Sequence, residues 1–365
     1  MDKVRIGILG CGQIAQHHMR TYKGIPEVEM VACADVSEEV AKKSAEEFGI
    51  PTALTSVKEL LAMDLDAIDV CLHNNLHMPA TIAALEAGKH VYCEKPMAGS
   101  FTDAERMLNT AKEKGKKLHI QLANLYSNEC RAAKELIELG ELGEVFHARS
   151  TGHRRRGRPY VDGYGTPSFV QKKHASGGAL YDMGVYHISQ MLYLLGNPDV
   201  SRISGQTYQK MEMDARRREI SNYDVEELGL GFVKFDGGVS LDIIEAWAVN
   251  MGDFEGSSVI GSKGGIRLNP FSFHRSIGNI DIDGTANLGS ANYRWHNVGV
   301  DGHFYGESQQ HWAAVLQGKV EPIPTAEIAL NTMLISEGIY LSSKLGREVT
   351  PQEVRENSVS TAISL

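Results

Sequence analysis

The chain has 365 residues, enough for two domains at about 150 residues each. Its 23% charged and 42% apolar residues give a globular balance that excludes a disordered or fibrous chain. The net charge of −9, from 37 basic and 46 acidic residues, excludes the broad positive field of a nucleic-acid binder, and no apolar run approaches the roughly 18 residues of a membrane span.

Residues 3–9 (KVRIGIL) read as a short apolar strand, followed by Gly10-Cys11-Gly12-Gln13-Ile14-Ala15 and a helix to about Lys23. Residues 28–34 (VEMVACA) form a second strand ending at Asp35, and a helix over about 37–48 stops at Gly49. AIDVCL at 67–72 is a third strand, with a helix over about 78–87 after it. HVYC at 90–93 is a fourth, leading into Glu94-Lys95-Pro96. Thr102-Asp103-Ala104-Glu105 reads as a capping box opening the next helix, and LHIQLA at 118–123 as another strand. Short apolar strands alternating with helices imply parallel pairing and right-handed crossovers. Residues 1–125 are therefore expected to form a doubly wound, Rossmann-type parallel sheet.

The glycine turn suits a dinucleotide. Gly10 permits the tight strand-to-helix turn, and Gly12 lets the backbone approach a pyrophosphate at the helix N-terminus, where Gln13 and Ile14 begin the helix. Ala15 occupies the third position, where a small residue lets helix and strand pack. Asp35 lies 35 − 12 = 23 residues beyond Gly12, at the end of the second strand. A carboxylate there accepts the adenosine ribose hydroxyls and repels a 2′-phosphate. No arginine follows it, so the expected cofactor is NAD rather than NADP.

Residues 85–97 read LEAGKHVYCEKPM, and 177–187 read GGALYDMGVYH. With the glycine turn, these blocks resemble the Gfo/Idh/MocA family of glucose–fructose oxidoreductases and inositol dehydrogenases, marked by AGKHVxxEKP and by GGxLxDxG followed by His or Tyr. The resemblance covers essentially the whole chain. It implies a Rossmann domain followed by an α+β domain with an open, largely antiparallel sheet over residues 126–365, which binds substrate and makes oligomer contacts. It also implies that Lys95 relays the hydroxyl proton while hydride leaves the carbinol carbon. A lysine on this strand-end loop, partly desolvated and near a nicotinamide cation, suits the task. Glu94 orients the loop or binds the nicotinamide ribose, and Pro96 fixes the chain direction in a bond that admits the cis form.

Three departures from the family pattern matter. Many members carry His four residues after the Asp of the second block; here Tyr186 stands there and His187 follows. At 100° per residue Asp182 and Tyr186 share a helix face, so Asp182 is expected to contact substrate, against a structural cap or salt bridge, and Tyr186 is the first choice to meet the reacting hydroxyl. His187, about 140° from Asp182 and nearer the apolar stripe, is the second; a satisfied core histidine is the competing reading. Leu72-His73 replaces the usual Thr-Pro ahead of Asn74, and Asn74 and His77 are still assigned to the cofactor pocket. Asn124 replaces a frequent Arg.

Beyond about residue 130 strand-like segments follow one another, at 145–152, 201–208, 227–235 and 238–248, as in an antiparallel sheet. His153-Arg154-Arg155-Arg156-Gly157-Arg158 is the one concentrated basic run. Its Arg156 is a candidate for bidentate contact with a polyhydroxylated or anionic substrate, against the alternative of a solvated loop. The histidines show no metal-binding spacing, so no metal is expected. The five cysteines form no CxxC pair and fit buried positions in a reducing cytosol. The N-terminus lacks secretory-signal character, and a cytoplasmic location is expected.

Together these readings describe an NAD-dependent oxidoreductase acting on a secondary hydroxyl of a sugar, a glycoside (with a 3-keto glycoside as one product) or a cyclitol. It would work as a homo-oligomer, dimer or tetramer, with no nucleic-acid or membrane partner. Two alternatives stand beside it. One is a glycosidase using NAD for transient oxidation. The other is a non-catalytic sugar or nucleotide sensor, which would have no need of Lys95.

Overall fold

The computed structural model describes residues 3–298 and 302–365. The chain divides into two compact units: residues up to 121 with segments ending at 327 and 365, and residues 122–298 with 328–359.

In the first unit Val4–Leu9 (β1), Val28–Ala34 (β2), Thr52–Leu54 (β3), Ala67–Val70 (β4), His90–Cys93 (β5) and Leu118–Ile120 (β6) form one sheet. The order is β3-β2-β1-β4-β5-β6 and every pair is parallel. Helices Gln13–Lys23 (α1), Glu38–Phe48 (α2), Val57–Ala62 (α3), Asn74–Glu86 (α4) and Phe101–Glu113 (α5) make the crossovers. The strand order reverses between β1 and β4, and the carboxyl ends of these strands flank the crevice where such sheets take ligands. Burial on both faces explains the near-continuous apolar strands. Ile6, Ile8, Met19, Phe48 and Tyr92 meet in one buried cluster.

Two helix starts differ from the sequence reading, in which β3 and α3 also have no counterpart. Helix α4 begins at Asn74 rather than near 78, with Pro79 inside it. The apolar pattern starts only at Met78, behind polar Asn74 and Asn75. Helix α5 begins at Phe101, capped by Ser100 Oγ, which accepts from Asp103 N at 3.3 Å. The Thr102–Glu105 box is bypassed, because Ser100 offers the same chemistry earlier and the buried Phe101 anchors that first turn.

The second unit carries Val145–His153 (β7), Val200–Tyr208 (β8), Leu228–Phe235 (β9), Ser240–Ala246 (β10), Ser258–Gly261 (β11), Gly265–Arg267 (β12), Ser272–Ile277 (β13) and Ile280–Thr285 (β14). Their order is β14-β13-β12-β11-β7-β10-β9-β8, antiparallel throughout except for the parallel β7–β10 pair. The helix at Val185–Leu194 packs on β7, beside Asn128–Glu138 (α6). Ala148 and Ser150 are buried beneath it, whereas the opposite face leaves Phe232 and Ile260 exposed.

Candidate functional site

The first unit presents a phosphate cradle. Gly10 has φ +91°, and a Cβ there would stand 2.3 Å from the Cys71 carbonyl oxygen, so no larger residue fits. Gly12 is the N-cap of α1, has no side-chain cap, and faces open space within 4 Å of where its Cβ would lie. Gly12 thus leaves room at the N-terminus of α1, where Gln13 and Ile14 begin the helix, and that room fits a pyrophosphate. Asp35 is pinned beside this turn: Cys11 N donates to Oδ2 at 2.9 Å and Ser37 N to Oδ1 at 2.9 Å. Each oxygen keeps capacity for a ribose hydroxyl. These residues fit a dinucleotide with an unphosphorylated adenosine ribose.

The loops after β4 and β5 are tied together by His77. Its Nδ1 lies 2.8 Å from the Pro96 carbonyl and its Nε2 3.0 Å from that of Leu72. The ring is fully buried, and that burial holds its pKa below the usual value despite both carbonyls. His77 is thus a loop clamp, and Asn74 begins the helix it belongs to. Glu94, also buried, has Oε2 3.3 Å from His18 Nε2. The other His18 nitrogen meets Asp69 at 3.0 Å and Cys71 Sγ at 3.3 Å. Burial opposes charge on His18, but these neighbours hold its pKa well above the ordinary value. Burial pushes the Cys71 thiol up to about 12, so Asp69 is the partner that carries the effect. His18, Asp69 and Cys71 are the one group among the described residues with metal-ligand potential, and the three already engage one another. Lys95 follows with a cis bond to Pro96. From residue 91 to 100 it alone is partly exposed, the rest being buried.

The second unit builds a cavity of about 650 Å³. Its wall includes Asn124, Arg154, Tyr186, His187 and Gln190. The Gly177-Gly178 turn is held from below by buried Glu226, which accepts from Gly178 N at 2.8 Å, Leu180 N at 3.0 Å and Tyr340 Oη at 2.8 Å. Residues Leu180–Gly184 form a π-turn, with Val185–Leu194 continuing as α-helix. Bonds in a π-turn run five residues apart instead of four. Beyond this turn Tyr186 and His187 both line the cavity. Asp182 Oδ2 accepts from the buried Trp247 indole at 2.9 Å.

His187 has a partner the sequence did not suggest. Its Nδ1 lies 3.0 Å from Glu245 Oε2, and Ser150 Oγ donates to Glu245 Oε1 at 2.9 Å. Burial disfavours charge on the imidazole, but Glu245 outweighs it and raises the pKa. The basic run splits three ways. Arg154 lines the cavity, its guanidinium 5.3 Å from the Tyr164 ring centre. Arg155 and Arg156 are exposed, and Arg156 pairs through its backbone with Ala248. Arg158 is fully buried, bonded to Asp162 at 2.8 Å and Glu227 at 2.9 Å. Sequence reasoning missed Glu245, Ser150, Glu226 and Trp247: the first two reach the site through the register of β7 and β10, the others from the ends flanking β9 and β10, and no local motif encodes either.

Residues 4–122 match a family model described as an oxidoreductase family with an NAD-binding Rossmann fold, and residues 130–267 match the GFO/IDH/MocA C-terminal domain. The chain is 28% identical over 355 residues to D-glucoside 3-dehydrogenase of Escherichia coli, covering 95% of this chain and 97% of the relative. It is 29% identical over 194 residues to myo-inositol 2-dehydrogenase of Thermotoga maritima, covering 53% of this chain and 55% of the relative. A structure of levoglucosan dehydrogenase with NADH superimposes with TM-score 0.80 at 20% identity, covering 96% of this chain and 99% of that one; it shares the fold.

Proposed function

This chain belongs to the GFO/IDH/MocA family of NAD-binding oxidoreductases, and from that premise we propose that it oxidises a secondary hydroxyl of a sugar, glycoside or cyclitol. The observation that carries the substrate class is the second-unit cavity. Its wall offers amide, guanidinium, phenol and imidazole groups from Asn124, Gln190, Arg154, Tyr186 and His187, a set matched to several hydroxyls. The full-length likeness to a glucoside 3-dehydrogenase supports the same class. When bound, NAD supplies the hydride acceptor. Gly10, Gly12, Gln13 and Ile14 hold its pyrophosphate, Asp35 its adenosine ribose, and Glu94, with Asn74 and His77, the loops over its nicotinamide half. Lys95 takes the hydroxyl proton. Tyr186, His187 and Asp182 orient the substrate, and Arg154 takes the contact that the sequence suggested for Arg156.

Residues 1–125 then serve the cofactor and 126–365 the substrate and assembly. The exposed Phe232 and Ile260 support a homo-oligomer, dimer or tetramer, formed on the open sheet face, which light scattering tests directly. No helix among the described residues is long and apolar enough to cross a membrane, and the five buried, unbridged cysteines support a reducing, cytoplasmic location. The decisive experiment follows NADH absorbance while glucosides, free sugars and inositols are supplied with NAD. Steady NADH formation with at least one of them is expected. Glycoside cleavage without NADH build-up, or binding with no turnover anywhere in the panel, would overturn the reading.

A further inference from the structure

We propose that Glu245 is a positioning residue for His187: buried under the cavity, it ties down one imidazole nitrogen and presents the ring to substrate as a hydrogen-bond donor. The inference rests on the second-unit cavity being the substrate site.

Four observations meet at this point. Glu245 is fully buried, with each carboxylate oxygen engaged, one by His187 Nδ1 at 3.0 Å and one by Ser150 Oγ at 2.9 Å. His187 lines the cavity with 24% of its side chain exposed, so Nδ1 is spent on the buried side and Nε2 is left for the cavity. Register brings the pair together: Gly152 on β7 stands opposite Glu245 on the parallel strand β10. Gly152 also makes the space, since a Cβ there would lie 2.4 Å from His187 Nδ1 and 2.5 Å from Glu245 Oε2. Its backbone lies in a regular strand, so the need for glycine is room rather than conformation.

A carboxylate accepting from Nδ1–H keeps the ring from turning and fixes which nitrogen faces the ligand. It also favours the imidazolium, in which both nitrogens donate. The charged groups that bear on the ring are Glu245, from β10, and Arg154, just after β7; the first supports its proton and the second opposes it. Glu245 wins because it is in direct contact. His187 then meets a substrate oxygen as a donor and leaves proton acceptance to another group. Glu245 itself never touches the ligand.

The test uses NAD-loaded enzyme. The His187 ring resonance, assigned by its loss in His187→Asn, is followed against pH by NMR. In the wild type its midpoint should lie above the ordinary ~6.5, and in Glu245→Gln it should fall by about one unit or more. With a turned-over substrate, E245Q should lower kcat roughly ten- to a hundredfold with NAD affinity unchanged. E245Q added to H187N should cost nothing further, because the carboxylate acts only through the ring. A wild-type midpoint below the ordinary value overturns the proposal, and so does an unmoved kcat in E245Q or an additive double variant. If E245Q does not fold, the wild-type titration and Glu245→Asp, which withdraws the carboxylate by one methylene, decide instead; an E245D midpoint equal to wild type counts against the proposal. Failure of every polyol and glycoside as substrate would sink the functional reading, and the NMR titration would still report on the pair.

Discussion

Replacing Asp35 by serine together with Val36 by arginine should turn the cofactor preference from NAD toward NADP. The Asp35 carboxylate is held by two backbone amides at 2.9 Å each and cannot swing away cheaply. A 2′-phosphate on the adenosine ribose would come to about 5 Å from it. At an effective dielectric of ~20, like charges at that separation repel by about 3 kcal/mol per unit charge. With 1.4 kcal/mol per decade, the wild type should favour NAD by roughly a hundredfold in kcat/KM. Val36 is 97% exposed, so an arginine there displaces no packing and can reach a phosphate with a bidentate guanidinium. Serine at 35 relinquishes two charge-assisted contacts, a cost of about 2 kcal/mol that should appear as a lower unfolding midpoint. Initial rates with each cofactor at saturating substrate give both ratios. Equal wild-type efficiency with NADP, or a double variant whose ratio does not move, would show that Asp35 does not face the ribose.

Other consequences can be measured separately. Lys95→Ala should lower kcat by about 10²- to 10⁴-fold while NAD still binds, as read by cofactor fluorescence titration; near-normal turnover would remove Lys95 from proton transfer. Gly152→Ala should drive the His187 ring from its place and lower kcat without altering NAD affinity, whereas Gly12→Ala, with open space around it, should weaken NAD with kcat at saturation little changed. Arg158→Met strands the buried Glu227 carboxylate and the partly buried Asp162 beside it and should destabilise the second unit by about 3–5 kcal/mol in denaturant melts. The His187 pKa is raised in the fold, so stability from the Glu245 pair is complete below the free value of ~6.5 and lost as pH rises through the raised one. The melting difference between wild type and His187→Asn should therefore shrink on going from acidic to alkaline pH; a difference that grows would reverse the sign.

The candidate cofactor turn of the first unit was legible because it is local. Gly10, Gly12 and Asp35 lie within one βαβ unit, and alternating strand and helix patterns locate that unit before any contact is known. The second unit was legible in outline only. Strands β11 to β14 are short and carry much exposed surface, so little hydrophobic alternation marks them. The parallel β7–β10 pair joins residues about 93 apart, a pairing no single segment announces. The helix after Gly178 carries a feature that residue spacing does not announce: a steady 100° step makes no provision for the π-turn at Leu180–Gly184 that precedes His187. Arg156 and Arg154 show the same limit. In a loop of adjacent arginines composition gives the charge, and only the path of the backbone decides which one turns inward.

The room left by Gly152 has an evolutionary corollary. A relative with any larger residue at the corresponding strand position could not seat both the imidazole and the carboxylate, whatever its overall identity. Gly152, His187 and Glu245, though scattered along the chain, should therefore be inherited or lost as a set. Among homologues whose histidine instead falls four residues after the aspartate, the glycine and the glutamate should both drift freely. Covariation of these three columns, rather than the aspartate block alone, would mark the branch of the family that shares this histidine–glutamate arrangement.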